Sequence, residues 1–127
     1  MSILRTKLSG MEIREYDCSI INEMHSKHME YLQINFQRKE DLLDAAKEVG
    51  KQYYHVIYKV ETTYCLFIPF DANDKRVLEW GTAHNMGIDL CKRYNSNHFI
   101  ISFEEENWES DELVCWYCDY NADGIRI

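Results

Sequence analysis

The chain has 127 residues, with 46% hydrophobic and 13% aromatic content, one proline and five glycines, the make-up of a single globular domain able to bury its own core. No apolar run approaches the roughly 18–20 residues of a membrane span. The start, MSILRTKLSG, lacks the apolar stretch of a secretory leader, and five cysteines, an odd number, suit reduced thiols in a cytoplasm better than a disulfide framework. A net charge of −8 gives no pull toward nucleic acid or an anionic membrane, so the charged partners it favours are basic.

Residues 1–28 read as an N-terminal extension. Residues 1–10, with Ile3 and Leu4 beside Arg5 and Lys7, suit a short strand or a loose arm. Met11 and Ile13 alternate with Glu12 and Arg14, so 11–17 has the pattern of a short strand. Asp17 or Ser19 caps a short helix that sets Ile20, Ile21, Met24 and His28 on one side.

Residues 29–103 form the core. In 29–37, Leu32, Ile34 and Phe36 alternate with Tyr31, Gln33, Asn35 and Gln37, a strand with one buried face. The period then changes: Leu42, Leu43, Ala46 and Val49 recur at helical spacing across 38–51, and Gly50 is placed to end that helix in the left-handed conformation. Residues 53–60 and 64–70 are tyrosine-rich and β-branched, two strands joined by the short Glu61-Thr62-Thr63, with Pro69 marking a strand end or an edge. Asp71, Asn73 and Asp74 signal a second helix over 74–94. Its stripe is Val77, Gly81, His84, Ile88 and Cys91, and Lys92, Arg93 and Asn95 suit its C-terminal end. Strands follow at 98–103 and 113–120.

The order from 29 to 103 is β-α-β-β-α-β. It predicts an α+β, ferredoxin-like split core: an antiparallel sheet with both helices on one face, preceded by an N-terminal helix and extended by a C-terminal strand. The order is similar to that of several ferredoxin-like families. Among them are the bacterial protein inhibitors of ribonuclease E, which also place a helix before the first strand. That likeness is architectural and covers roughly residues 19–103. The glycine- and aspartate-bearing signature expected after the second helix is replaced here by RYNSNHF.

Motifs with chemical content are few. Cys115-Trp116-Tyr117-Cys118 is a C-x-x-C, but in an alternating strand residues i and i+3 face opposite sides, and no second ligand pair completes a zinc site. Asp119-Tyr120-Asn121-Ala122-Asp123-Gly124 matches half a calcium loop, yet the chain ends before the bidentate position. The competing reading is a hairpin turn at 121–124 returning a short 125–127 strand. His25 and His28 share a helix face without a third ligand, and His84 reads as a hydrogen-bonded, semi-buried histidine. No phosphate loop, nucleophile elbow or H-E-x-x-H is present. The expectation is no catalytic residue, no cofactor, no disulfide and no structural metal.

The most informative asymmetry is electrostatic. Residues 104–127 hold 8 acidic residues and one basic one, a balance of −7 out of the total −8. In this acidic loop and strand, Trp108, Trp116 and Tyr117 stand among Glu104, Glu105, Glu106, Glu109, Asp111, Glu112 and Asp119. Aromatic anchors inside a carboxylate rim suit the binding of a basic protein. The expected function is a cytoplasmic, non-enzymatic interaction protein that binds and inhibits a basic, nucleic-acid-handling partner, of immunity, phage-inhibitor or nuclease-regulator type. It would touch neither nucleic acid nor membrane directly. The rival is a small-ligand or sensory ferredoxin-like domain that oligomerises through sheet edges, marked by a tyrosine-lined pocket between sheet and helices. A metal-dependent enzyme using the histidines or Asp119 and Asp123 is least favoured.

Overall fold

The computed structural model describes residues 13–15, 30–70, 80–106 and 113–127. Its elements are strands β1 (Arg14–Glu15), β2 (Glu30–Phe36), β3 (Val56–Val60), β4 (Thr63–Phe70), β5 (His98–Glu106) and β6 (Leu113–Asn121), with helices α1 (Lys39–Val49) and α2 (Trp80–Arg93). The expected helix over 17–28 and the start of the second long helix lie outside the described residues.

The strands form one sheet in the order β1-β3-β4-β2-β5-β6. The five strands from β3 to β6 pair antiparallel, while the two residues of β1 pair parallel with β3. β4 lies between β2 and β3, so those two strands are not neighbours. Among the described residues the architecture is α+β, a five-stranded antiparallel sheet with two helices, and is compatible with a ferredoxin-like fold. Pro69 stands one residue from the end of β4, beyond Phe67, the last β4 residue that pairs with β3. Its missing N–H therefore costs no ladder bond on that side.

Alternation in β2 decides the layering. Leu32, Ile34 and Phe36 join Leu42, Ala46 and Val49 of α1, Ala83 and Leu90 of α2, and Ile57, Leu66, Ile68, Phe99 and Ile101 of the other strands in one core. Both helices therefore share one face of the sheet. Each fully buried Leu, Ile or Phe contributes about 1.5–3 kcal/mol. A second cluster, Tyr31, Val56, Tyr58, Cys65 and Phe67, lies on the opposite face. Tyr58 and Phe67 meet edge-on at 5.4 Å, and Tyr31 tilts against Phe67 at 5.2 Å.

Three glycines or turns show how local sequence is used. Gly50 ends α1 with φ −63°, in the right-handed region, so the expected left-handed cap is not formed. What requires glycine there is space: a Cβ would sit 2.9 Å from Cε1 of the buried His55 and 3.1 Å from the Ala46 carbonyl oxygen. α2 instead carries the left-handed residue, Asn95 (φ 60°), and the Ser96 N–H closes back on the Cys91 carbonyl at 2.9 Å in a Schellman-type cap. The β3–β4 hairpin turns through Glu61 at φ 55°, a conformation that costs a side-chain-bearing residue about 1–2 kcal/mol. Glu61→Gly is expected to raise stability by about 0.5–1 kcal/mol, the relief being partly offset by a freer unfolded chain. A urea melt with an unchanged or lower midpoint would show that the turn is unstrained.

Candidate functional site

The acidic segment begins as strand. β5 continues to Glu106, and Glu104, Glu105 and Glu106 stand opposite Cys115, Val114 and Leu113 of β6. These three glutamates had been expected in a loop from 104 to 112. The cross-strand ladder corrects that, because the β-branched and aromatic run after Leu113 gives them a partner. Their backbone is thus held by two strands at one end of the sheet. Trp108, Glu109, Asp111 and Glu112 lie outside the described residues. Trp116 pairs in register with Phe103. β6 is the outermost strand on its side of the sheet among the described residues.

Alternation along β6 splits its aromatics. Tyr120 goes to the helix face, stacked on Phe99 at 5.0 Å and edge-on to His84 at 5.0 Å. Tyr117 is on the face that the two described helices leave uncovered, the open face, and is 51% exposed, the most exposed aromatic among the described residues. Asp119 shares that face. Of the expected site residues with described side chains, Tyr117 and Asp119 therefore fall on one surface.

Asp119 is the end of a polar chain across three strands. Gln33 Nε2 donates to Asn35 Oδ1 at 2.8 Å, Asn35 Nδ2 lies 2.8 Å from His98 Nδ1, and His98 Nε2 lies 2.8 Å from Asp119 Oδ1. With an amide N–H facing Nδ1, that nitrogen accepts and the ring proton sits on Nε2, donated to Asp119. Both ring nitrogens are thus engaged. The geometry suits cross-strand positioning rather than a base with a free lone pair. The chain holds the side chains of β2, β5 and β6 in fixed orientation on the open face.

Next to this chain the open face is concave. A cavity of about 450 Å³ is lined by Tyr31, Gln33, Asn35, Cys65, Phe67 and Tyr117, with Glu61 and its hairpin neighbours Val60 and Thr63 at one side. The rival reading expected a tyrosine-lined pocket between sheet and helices. Among the described residues that layer holds core side chains, and this concavity lies on the other face. A second cleft, about 270 Å³, runs between α1 and α2, where Arg93 pairs with Asp89 at 3.1 Å and reaches Glu48 at 4.0 Å.

Cys65 at the floor of the open-face cavity is 3% exposed, and burial pushes its thiol up to about 11, only partly offset by hydrogen bonding with Gln33. The folded state therefore keeps this proton while the unfolded thiol, at the ordinary value of 9.0, has lost it. Stability is expected to fall as pH rises from about 9 to about 11, and Cys65 should resist alkylation at pH 8 until the chain is unfolded. Mass spectrometry showing rapid native-state alkylation of Cys65 would contradict its burial.

The remaining sequence motifs resolve into structural roles. In the half calcium loop the three oxygens diverge. Asp119 faces His98, Asp123 pairs with Lys92 at 3.2 Å, and Asn121 Oδ1 accepts from its own turn, from Asp123 N at 2.9 Å and Ile125 N at 3.0 Å. The turn returns the chain along β6, where Ile127 N donates to the Asp119 carbonyl at 2.9 Å. Gly124 takes φ +78°, and its carbonyl accepts from His84 Nε2 at 2.8 Å. His84 is the hydrogen-bonded, semi-buried residue its sequence position implied. Cys118 is buried, and the backbone of Cys115 pairs opposite Glu104. His25 and His28 lie outside the described residues. Among the described residues no three or more His, Cys, Asp and Glu side chains cluster as a metal site would need, and no helix is long and apolar enough to cross a membrane.

Sequence reasoning missed Gln33, Asn35, Glu61 and Cys65. It placed Gln33 and Asn35 on the face away from the core, but a polar face of a strand carries no mark that separates a cavity wall from plain solvent. Comparison with protein-family models, with curated proteins and with solved structures finds no significant match.

Proposed function

We propose that the protein is a non-enzymatic, cytoplasmic binding protein that engages and inhibits a basic, nucleic-acid-handling partner through the acidic end of the β5–β6 pair. We read the β2-α1-β3-β4-α2-β5 unit as the ferredoxin-like split core, an assignment supported by β4 lying between β2 and β3. That scaffold hosts many functions, so the site has to carry the argument.

The observation that carries it is the pairing of Glu104–Glu106 with Leu113–Cys115. The chain's charge excess starts on two paired strands, not in a free loop, and the same outer strand presents the exposed ring of Tyr117. A backbone already paired in a ladder brings residues 104–106 to a basic patch at less ordering cost than a flexible acidic tail would. They occupy the place that nucleic-acid phosphates fill on such a partner, and Tyr117, with Trp108 of the same segment, supplies the anchoring surface.

The test is affinity capture from the host lysate with the wild type and with the E104K/E105K/E106K variant as bait. A basic protein that is retained by the wild type, released by raised salt and missed by the variant is the expected result. Capture that ignores both salt and the charge reversal would reject this reading.

A further inference from the structure

The open-face cavity has a chemistry of its own. Its floor is aromatic and uncharged: Tyr31 and Phe67 are nearly fully buried, and the Cys65 thiol, two residues along β4 from Phe67, carries no charge at neutral pH. Its wall is amide. Gln33 gives Nε2 to Asn35 and keeps Oε1 as an acceptor, and Asn35 is in turn fixed by His98. Its rim is π-faced and acidic, with half-exposed Tyr117 on one side and exposed Glu61 on the other. Among the described residues no lysine or arginine lines it.

Phosphates and other anions find no counter-charge there. A compact ammonium group would gain from Glu61 but would leave the flat face of the exposed Tyr117 ring unused. A planar cation uses all three features. It stacks on a ring, donates in plane to an amide oxygen, and faces a carboxylate. The molecule shows this chemistry with one of its own residues: the Arg93 guanidinium lies 5.2 Å from the Tyr94 ring centroid while pairing with Asp89 at 3.1 Å.

We infer that the cavity between Gln33, Asn35, Glu61, Phe67 and Tyr117 is a socket for a guanidinium group, an arginine side chain presented by the basic partner. The inference rests on the proposed partner class, and it adds that recognition extends from the acidic strand pair across the open face toward the β3–β4 hairpin. About 450 Å³ exceeds what one arginine side chain fills, so flanking residues of the partner's chain enter with it.

The probe is Nα-acetyl-arginine amide, titrated into the ¹⁵N-labelled full chain and followed by NMR, with Nα-acetyl-lysine amide and adenosine as comparison arms. Saturable shifts at the amides of Gln33, Asn35 and Tyr117 are expected with the arginine probe, with the lysine probe at least about fivefold weaker. Glu61→Lys and Gln33→Leu should each weaken arginine binding by about tenfold, with thermal melts unchanged within a few degrees. No saturable shift at these residues, equal response to lysine, or preference for adenosine overturns the inference. E104K/E105K/E106K separates the two levels. If arginine saturates the cavity but partner capture ignores that variant, the strand-pair reading fails and the socket stands. If capture depends on the three glutamates but Glu61→Lys and Gln33→Leu leave it and the arginine titration unchanged, the socket fails and the strand-pair reading stands.

Discussion

Phe99→Ala is expected to cost about 3–5 kcal/mol of folding stability, a large part of the 5–15 kcal/mol typical of a small domain. Phe99 is 0% exposed. In β5 it stands opposite Ile34 of β2 and Tyr120 of β6, and its ring stacks on Tyr120 at 5.0 Å with 17° between planes. His84 meets it at 5.8 Å from α2. The ring also lies directly on Gly87, where a Cβ would fall 2.5 Å from Cδ2 and Cε2. Truncation would open a cavity bounded by a helix and three strands, none able to close it without breaking sheet register.

The same contact predicts the sign of the reverse experiment. Gly87→Ala should gain about 1 kcal/mol of helix propensity and lose about 1–3 kcal/mol to overpacking, because a ring buried on every side has nowhere to retreat. The net expectation is a loss. Combined with Phe99→Leu, the Gly87→Ala penalty should shrink, a non-additivity readable from urea melts of the two singles and the double. Additive costs would mean that α2 and β5 do not pack through this pair.

Reversing Glu104, Glu105 and Glu106 to lysine should slow association with the basic partner by roughly 10–100-fold at low salt, with little effect on the melting transition. Three reversals move the net charge from −8 to −2, and all three changes fall at the acidic end of one strand pair. Long-range steering depends on the local field and is lost almost whole when that field is inverted. Dissociation should change less, because it reports on close contacts such as the one proposed for Tyr117. Tyr117→Ala is expected to show the opposite pattern, with faster dissociation and nearly unchanged association.

Much of the framework was legible because hydrophobic period is a strong signal. The alternation of Leu32, Ile34 and Phe36 and the helical spacing of Leu42, Ala46 and Val49 mark their buried faces, and these residues meet in one core. Two glycines were harder to read. Gly50 looks like a left-handed cap from its position, but its reason for being glycine is the His55 ring from a strand edge five residues on. Gly87 carries no local signal, since only the folded chain brings Phe99 over it.

The candidate site divides in the same way. The charge excess of residues 104–127 is a property of composition and was visible at once. That Glu104–Glu106 would be strand required knowing their partner, because glutamate has low strand propensity and its placement there comes from pairing with Leu113–Cys115. The open-face cavity was not visible, since it is assembled from β2, β4, β6 and the β3–β4 hairpin.

The central claim is that the acidic β5–β6 pair steers and holds a basic partner. Its most direct measurement is the association rate of the captured partner with wild-type protein and with E104K/E105K/E106K across a series of salt concentrations. The account predicts a wild-type rate that falls steeply with salt and a slower variant rate that is nearly flat, the two converging at high salt. Equal rates and equal salt slopes for both proteins would contradict it.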